Sequence, residues 1–368
     1  MDGCQHAGAG SALALALVNV RGKSRQPQRV PHENGMSTTR RSVAGLSDVG
    51  QPRSQKRTLL IAALLVAGIA TISVAAGIQR GGRVVQMPTS GTVMSADGTA
   101  IAYSQLGHGP ALVLVDGALC FRQNGPTGDI APLLASRFTV YAYDRRGRGE
   151  SGDTPPYSIA REIEDLKAVI DRAGDSAFVF ASSSGAALAM QGAAAGLPIR
   201  KLALYEPPIG VSRPGGPSLA ESQQHIAALV AAGDRAGAVR YFLEALLGAP
   251  RFFVAAMPVL MPRTWSRNKS VAFTLPYDVG ILSDRSLLSE RAKKIGMPAL
   301  IIGGAKSPAY MQEALQRIAR ALPSARTLLL PGQSHDVSAA RKALTPVLAN
   351  FFSEESHGRA NSTRATKP

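Results

Sequence analysis

The stretch Ala177-Phe-Val-Phe-Ala-Ser-Ser-Ser-Gly-Ala-Ala-Leu-Ala189 constrains this chain more than any other. Its apolar opening reads as a short strand buried on both faces. The Ala/Gly run that follows reads as a helix. Ser183 falls between them, at a corner too tight for its side chain to bond locally, so the hydroxyl projects over the sheet edge. Small residues are needed on both sides, because the strand and helix backbones nearly touch there. The spacing is that of G-x-S-x-G, with Ala181 at the first glycine position and Gly185 at the second. Three consecutive serines, Ser182 to Ser184, also fit a plain turn or helix cap; the buried strand before them and the small-residue helix after them favour the corner.

Around this corner the chain alternates between strand and helix. Met87–Ser104 reads as two short strands joined by a turn at Asp97-Gly98. Ala111–Val115 and Phe138–Tyr143 read as buried strands, with a helix around Ile130–Ser136 between them. Ser158–Ala173 carries apolar residues at helical spacing (Ile159, Ile163, Leu166, Ile170). Strand Lys201–Tyr205 ends in Glu206-Pro-Pro208. This order implies an α/β fold with a mostly parallel central sheet and helices on both faces. From about 210 to 295 the alternation lapses. Ala220–Ala231 and Ala236–Leu247 read as amphipathic helices, and the whole stretch as a helical cap inserted over the sheet. Strands Ala299–Ile302 and Arg326–Leu330 and helices Ala309–Ala321 and Ala339–Phe352 then complete a domain spanning 88–353, with 354–368 a polar tail.

Charge is uneven. Residues 1–83 hold eleven Lys/Arg against Asp2, Glu33 and Asp48, which accounts for half of the net +16. The basicity therefore belongs largely to the leader, and no basic run interleaved with aromatics calls for nucleic acid. Residues 1–57 have the composition of a disordered segment. Thr58–Ile78 is a run of 21 residues without a charge, enough to cross roughly 30 Å of hydrocarbon as a helix. Basic residues concentrate before it, which places the N-terminus in the cytoplasm and the domain outside, anchored in the lipid bilayer by a single span. Cleavage near Ala75, at Ser73-Val-Ala75, is the alternative and gives a secreted protein. Cys120 is the only cysteine within the domain and has no disulfide partner there.

Acyl transfer needs a base beside the serine. Of six histidines, His6 and His32 lie in the leader, His357 in the tail, His108 in an early turn and His225 in the cap. His335 follows the last strand in Pro331-Gly-Gln-Ser-His335, where it reaches the sheet edge that carries Ser183. Oxyanion donors are expected from the backbone N–H of Ser184, just after the nucleophile, and of Ala118, in the loop after the Ala111–Val115 strand.

With these residues in place, the chain from about Thr92 to Phe352 resembles the α/β-hydrolase superfamily, in its cap-bearing serine esterase-like branch. The resemblance rests on Leu114-Val-Asp-Gly-Ala118, on Tyr143-Asp-Arg-Arg-Gly-Arg-Gly-Glu-Ser-Gly152, on the serine corner and on Pro331-Gly-Gln-Ser-His335. It implies a serine hydrolase that cleaves an ester of a small to medium apolar substrate through an acyl-enzyme, without a cofactor. Two positions depart from the family pattern. Asp116-Gly117 stands where His-Gly is familiar. Ser307 stands where the acid that orients the histidine is expected, and a serine cannot stabilise an imidazolium as a carboxylate does. In serine proteases, replacing that aspartate costs ~10⁴ in kcat. The resemblance offers Glu206, after the strand next to the corner strand, as a substitute acid. The alternative for Glu206 is a structural Tyr-Glu-Pro-Pro corner bonded to backbone; Asp336, next to His335, and Asp278 or Asp284, at the end of the cap, are the further candidate acids. If none substitutes, the domain is catalytically impaired and binds a ligand or partner instead.

Phe252, Phe253, Met257, Met261 and Trp265 either line an acyl pocket or pack the cap on the core. The glycines of Arg145–Gly152 lack G-x-x-x-x-G-K-[ST], which excludes nucleotide binding of that kind. No residues have the spacing of metal ligands.

Overall fold

The computed structural model describes residues 88–354. The leader, the apolar run 58–78 and the tail beyond 354 lie outside the described residues. Among the described residues, no helix is long and apolar enough to cross a membrane.

Eight strands form one sheet: β1 (Thr89–Met94), β2 (Ala100–Gly107), β3 (Ala111–Val115), β4 (Thr139–Tyr143), β5 (Ala177–Ser182), β6 (Ile199–Tyr205), β7 (Ala299–Gly304) and β8 (Ala325–Leu330). Their spatial order is β1-β2-β4-β3-β5-β6-β7-β8. β1 and β2 are antiparallel to their neighbours and every later pairing is parallel. This is the α/β-hydrolase arrangement that the sequence implies.

β3, β4, β5 and β7 are buried on both faces because helices cover both, whereas the edge strand β8 exposes Arg326 and Thr327. Alternation in β3 and β5 assigns each side. Leu112, Leu114, Phe178 and Phe180 pack with α1 (Pro126–Leu134) and α10 (Val337–Ser353). Val113, Val115, Val179 and Ala181 pack on the other face with α2 (Ile159–Arg172), α3 (Ser183–Ala194) and α9 (Ala309–Ala321). α3 is buried from Ser184 to Ala194 and is built mainly of Ser, Gly and Ala, with Leu188, Met190 and Gln191 the larger exceptions.

Between β6 and β7 lie α4 (Leu219–Ala231), α5 (Arg235–Tyr241), α6 (Arg251–Leu260), α7 (Pro262–Ser270) and α8 (Leu275–Ser283), with short 3₁₀ turns. Ser218 and Glu221 form a reciprocal cap at the start of α4. The expected helix Ala236–Leu247 changes pitch: after α5 it runs as a π-helical turn over Phe242–Leu246. These helices share their own apolar cluster, which also takes in Leu119 and Phe121 from the loop after β3.

Candidate active site

Ser183 has φ +53°, a left-handed conformation that is costly for a residue with a side chain. The strand-to-helix corner enforces it. A Cβ on Gly185 would lie 2.3 Å from the Asp116 carbonyl oxygen, so glycine is required where α3 passes the loop after β3. At the first small position Ala181 is fully buried and fits, so glycine is not required there.

The corner brings together three residues from distant parts of the chain. His335 Nε2 lies 3.2 Å from Ser183 Oγ, and its Nδ1 lies 2.8 Å from Glu206 Oε2. An ionised carboxylate only accepts, so it selects the tautomer with the proton on Nδ1 and leaves the Nε2 lone pair facing the serine. Glu206 is fully buried, whereas His335 keeps 22% of its side chain exposed. Like Ser183, Glu206 sits at positive φ, +45°.

The second oxygen of Glu206 is also engaged. Oε1 accepts from the Gly304 backbone N–H at 2.7 Å and from the Ser307 hydroxyl at 2.5 Å. Burial pushes this carboxyl up. The His335 hydrogen bond and charge, then Ser307 and Gly304, outweigh burial and hold it below the usual glutamate value. Ser307 therefore stands at the expected acid position as a hydrogen-bond donor to a carboxylate that follows β6. The other carboxylates are turned elsewhere. Asp336 accepts from Ala339 N–H and caps α10. Asp284 pairs with Arg291 and Gln191.

The histidine loop is tied down beside Glu206. Tyr205 donates its hydroxyl to the Ser334 carbonyl at 2.5 Å, and Lys306 N–H donates to the Gln333 carbonyl at 2.8 Å. A Cβ on Gly304 would lie 2.4 Å from that same Gln333 oxygen, so the approach of the two loops depends on glycine.

On the other side of Ser183 lies the loop after β3. An added Cβ on Gly117 would be 3.0 Å from Ser183 Cβ, which places Asp116–Ala118 against the corner. Arg148 donates to the Gly117 carbonyl at 2.8 Å. In a trans peptide the following N–H points the opposite way, so this grip turns the Ala118 N–H away from Arg148. Ser184 is in the first turn of α3, where its N–H has no intrahelical acceptor. Its hydroxyl donates to Asp278 Oδ1 at 2.7 Å. Asp278, fully buried, also accepts from Arg145 at 2.8 Å and Arg148 at 2.9 Å, and Arg145 is held by Glu162 at 2.7 Å. Burial raises the Asp278 carboxyl, but the two guanidiniums and the Ser184 hydroxyl bring it below its ordinary value. Asp278 is therefore a brace behind the corner and does not touch His335.

A cavity of about 90 Å³ opens above Ser183 and His335. By a measure in which one water takes roughly 10–15 Å³, it holds a small molecule. Ala118 and Ser184 lie on its floor, and Val211, Phe242, Leu246, Leu247, Leu282 and Met311 supply apolar wall. None of Phe252, Phe253, Met257, Met261 and Trp265 lines it. Phe253, Met257 and Trp265 are buried in the cap's own core with Met261 packed against them, while Phe252 is 76% exposed. Helical spacing directs Phe253, Met257 and Trp265 into the cap interior. The wall comes instead from the π-helical turn and the segment after β6, which carry no aromatic cluster to mark them.

The strand order, the corner at Ser183 and the residues gathered round it define an α/β fold built as hydrolases are. The match to the model of the alpha/beta hydrolase family spans residues 106–345, and the chain belongs to that family. It is similar to an alpha/beta hydrolase from Sphaerobacter thermophilus, with 46% identity over 71% of this chain and 100% of that one, at a TM-score of 0.64. It shares its fold with an enol-lactonase from Burkholderia xenovorans (21% identity, 72% and 100% coverage, TM-score 0.58). The same holds for an esterase from Exiguobacterium antarcticum (19% identity, 72% and 99% coverage, TM-score 0.57).

Proposed function

We propose that this hydrolase cleaves an ester of a small, largely apolar substrate through an acyl-enzyme on Ser183. The observation that carries the reading is the continuous path Ser183 Oγ–His335–Glu206, at 3.2 and 2.8 Å. As Ser183 Oγ bonds to the substrate carbonyl carbon, its proton passes to His335 Nε2. Glu206 keeps the ring oriented and stabilises the imidazolium. The Ala118 and Ser184 N–H groups receive the oxyanion. The ester C–O bond then breaks, and the leaving alkoxide takes the proton from Nε2. Water repeats the sequence: it gives a proton to Nε2, attacks the acyl carbon and releases the acid, and Ser183 regains its proton. No step calls on a cofactor.

A fluorophosphonate probe tests the reading. Labelling of the wild type and not of Ser183→Ala supports it; folded wild type that stays unlabelled overturns it.

We infer further that residues 58–78 tether the domain to a membrane with the site on the extracytoplasmic side. The basis is the uncharged run of 21 residues with basic residues before it. Carbonate-washed membranes should retain the full-length chain. A soluble product beginning near Ala75 would instead indicate cleavage and export.

A further inference from the structure

The cavity above Ser183 is apolar except at one place. Arg213, on the segment between β6 and α4, lines it together with Tyr310 in the first turn of α9. Among the described residues that line the cavity, Arg213 is the one permanent cation, and none is a carboxylate. The guanidinium has no ion-pair partner among the described residues. Its Nε makes one long bond, 3.4 Å, to the Ala245 carbonyl, and its two terminal nitrogens make none. The Tyr310 hydroxyl likewise has no hydrogen-bond partner among the described residues. The two side chains line the same cavity, where the charge of Arg213 opposes the burial that pushes the Tyr310 phenol up.

The arginine is also seated. A Cβ on Gly248 would lie 3.0 Å from Arg213 Cδ and 3.4 Å from its Nε, so the turn at Gly248, φ +74°, leaves room for the arginine stem. The Ala245 contact fixes the Nε edge and leaves the terminal nitrogens free. A half-buried guanidinium with free donors and a free phenol hydroxyl on one mainly apolar cavity match a planar anion. With a single cation present, the fit is to a monoanion and not to a phosphate dianion.

The geometry points to a substrate that carries a carboxylate, bound by Arg213 and Tyr310 while Ser183 faces its ester. This names the substrate class of the proposed reaction and rests on that reading. The apolar wall takes the carbons between the two groups, and the carboxylate sets the register of the ester over Ser183.

Two probe pairs test it. One is monomethyl glutarate against dimethyl glutarate, with the charge on the acyl side. The other is 4-acetoxybutanoate against its methyl ester, with the charge on the alcohol side. In at least one pair, the wild type should favour the anionic member by about tenfold or more in kcat/KM, because hydrogen bonds to charged groups are the strong ones. Arg213→Gln should remove that preference mainly through KM, Arg213→Lys should restore part of it, and Tyr310→Phe should cause a smaller loss. Equal preference for charged and neutral members in both pairs, or equal losses on both in Arg213→Gln, overturns the carboxylate subsite and leaves the hydrolase standing. If no ester turns over and no fluorophosphonate label appears, the hydrolase reading falls. The subsite is then judged by calorimetry on Ser183→Ala with the same four compounds. Tighter binding of an anionic member, lost in Ser183→Ala/Arg213→Gln, supports it; binding no tighter than that of the neutral partner rejects it.

Discussion

The Ser307 hydroxyl donates to Glu206 Oε1 at 2.5 Å, while the other oxygen of the same carboxylate holds His335. The position where the family pattern expects an acid thus donates to a carboxylate that follows a different strand. If Glu206 orients the base, Glu206→Gln should lower kcat by ~10³–10⁴, as loss of the corresponding aspartate does elsewhere. Ser307→Ala should be milder, about tenfold, because Gly304 N–H still serves the same oxygen. The sign of the pH effect follows from the hydrogen bond. Ser307 helps to keep the Glu206 carboxyl low, so its removal raises that carboxyl and moves the acid limb of the kcat profile to higher pH. An unmoved limb, with full activity in Glu206→Gln, would show that another group orients His335.

Asp278 joins Arg145, Arg148 and the Ser184 hydroxyl in a fully buried cluster. Removing the carboxylate leaves Arg148 without its salt bridge. We expect Asp278→Ala to cost about 3–5 kcal/mol of unfolding free energy, the range for breaking a buried ion pair from one side. Urea unfolding measures it, and a loss under about 1 kcal/mol would mean that the cluster behaves as a surface pair does.

Burial pushes the Asp116 carboxyl up to about 6 from an ordinary 3.8, against the lowering effect of its bonds to Thr127. An acid raised in the folded state favours folding while protonated. Its contribution is therefore fully present below about 3.8 and lost as the pH rises through about 6. The difference corresponds to roughly 3 kcal/mol, to order of magnitude. Asp116→Asn keeps an acceptor for Thr127 N–H and a donor for its hydroxyl. It should be more stable than the wild type at pH 8 and should show a flatter stability profile between pH 4 and 7, read by urea titration at each pH. A wild-type profile that does not fall over that interval argues against a protonated Asp116.

Phe242 belongs to the cap cluster and also lines the cavity, whereas Trp265 belongs to the cluster alone. Phe242→Ala enlarges the cavity, so octanoate esters should gain on butyrate esters in kcat/KM. Trp265→Ala removes a side chain that is 7% exposed and packed in the cap cluster. It should cost about 3–5 kcal/mol and leave the chain-length ratio where it was. A changed ratio in Trp265→Ala, with none in Phe242→Ala, would return the aromatic cluster to the pocket.

The sequence carries the sheet and the serine corner because both depend on local patterns: apolar alternation, small residues at the corner, and glycine where backbones touch. His335 can be located by its place after the last strand. Glu206 is legible only through the family, since nothing local in Tyr-Glu-Pro-Pro marks which way a carboxylate turns. The brace at Asp278 left no trace, for its arginines lie 130 and 133 positions away in the chain. The aromatic residues of α6 and α7 were ambiguous for a different reason. Helical spacing says that a face is buried, and it is silent on whether the burial is against a cap or a ligand. The π-helical turn at Phe242–Leu246 follows a helix with no break in composition.

Serine and carboxylate stand at the ends of adjacent strands, β5 and β6, and both precede the cap in the chain. Their separation is therefore set first by the pairing of β5 with β6. A lineage or a designer can lengthen, shorten or exchange residues 219–270, ahead of α8 and its Asp278 brace, without moving one relative to the other, and has only His335 to keep in register across the exchange. The Phe242–Leu247 part of the cavity wall is thereby inherited apart from Ser183 and Glu206, while Arg213 and Tyr310 stay with the rest of the fold.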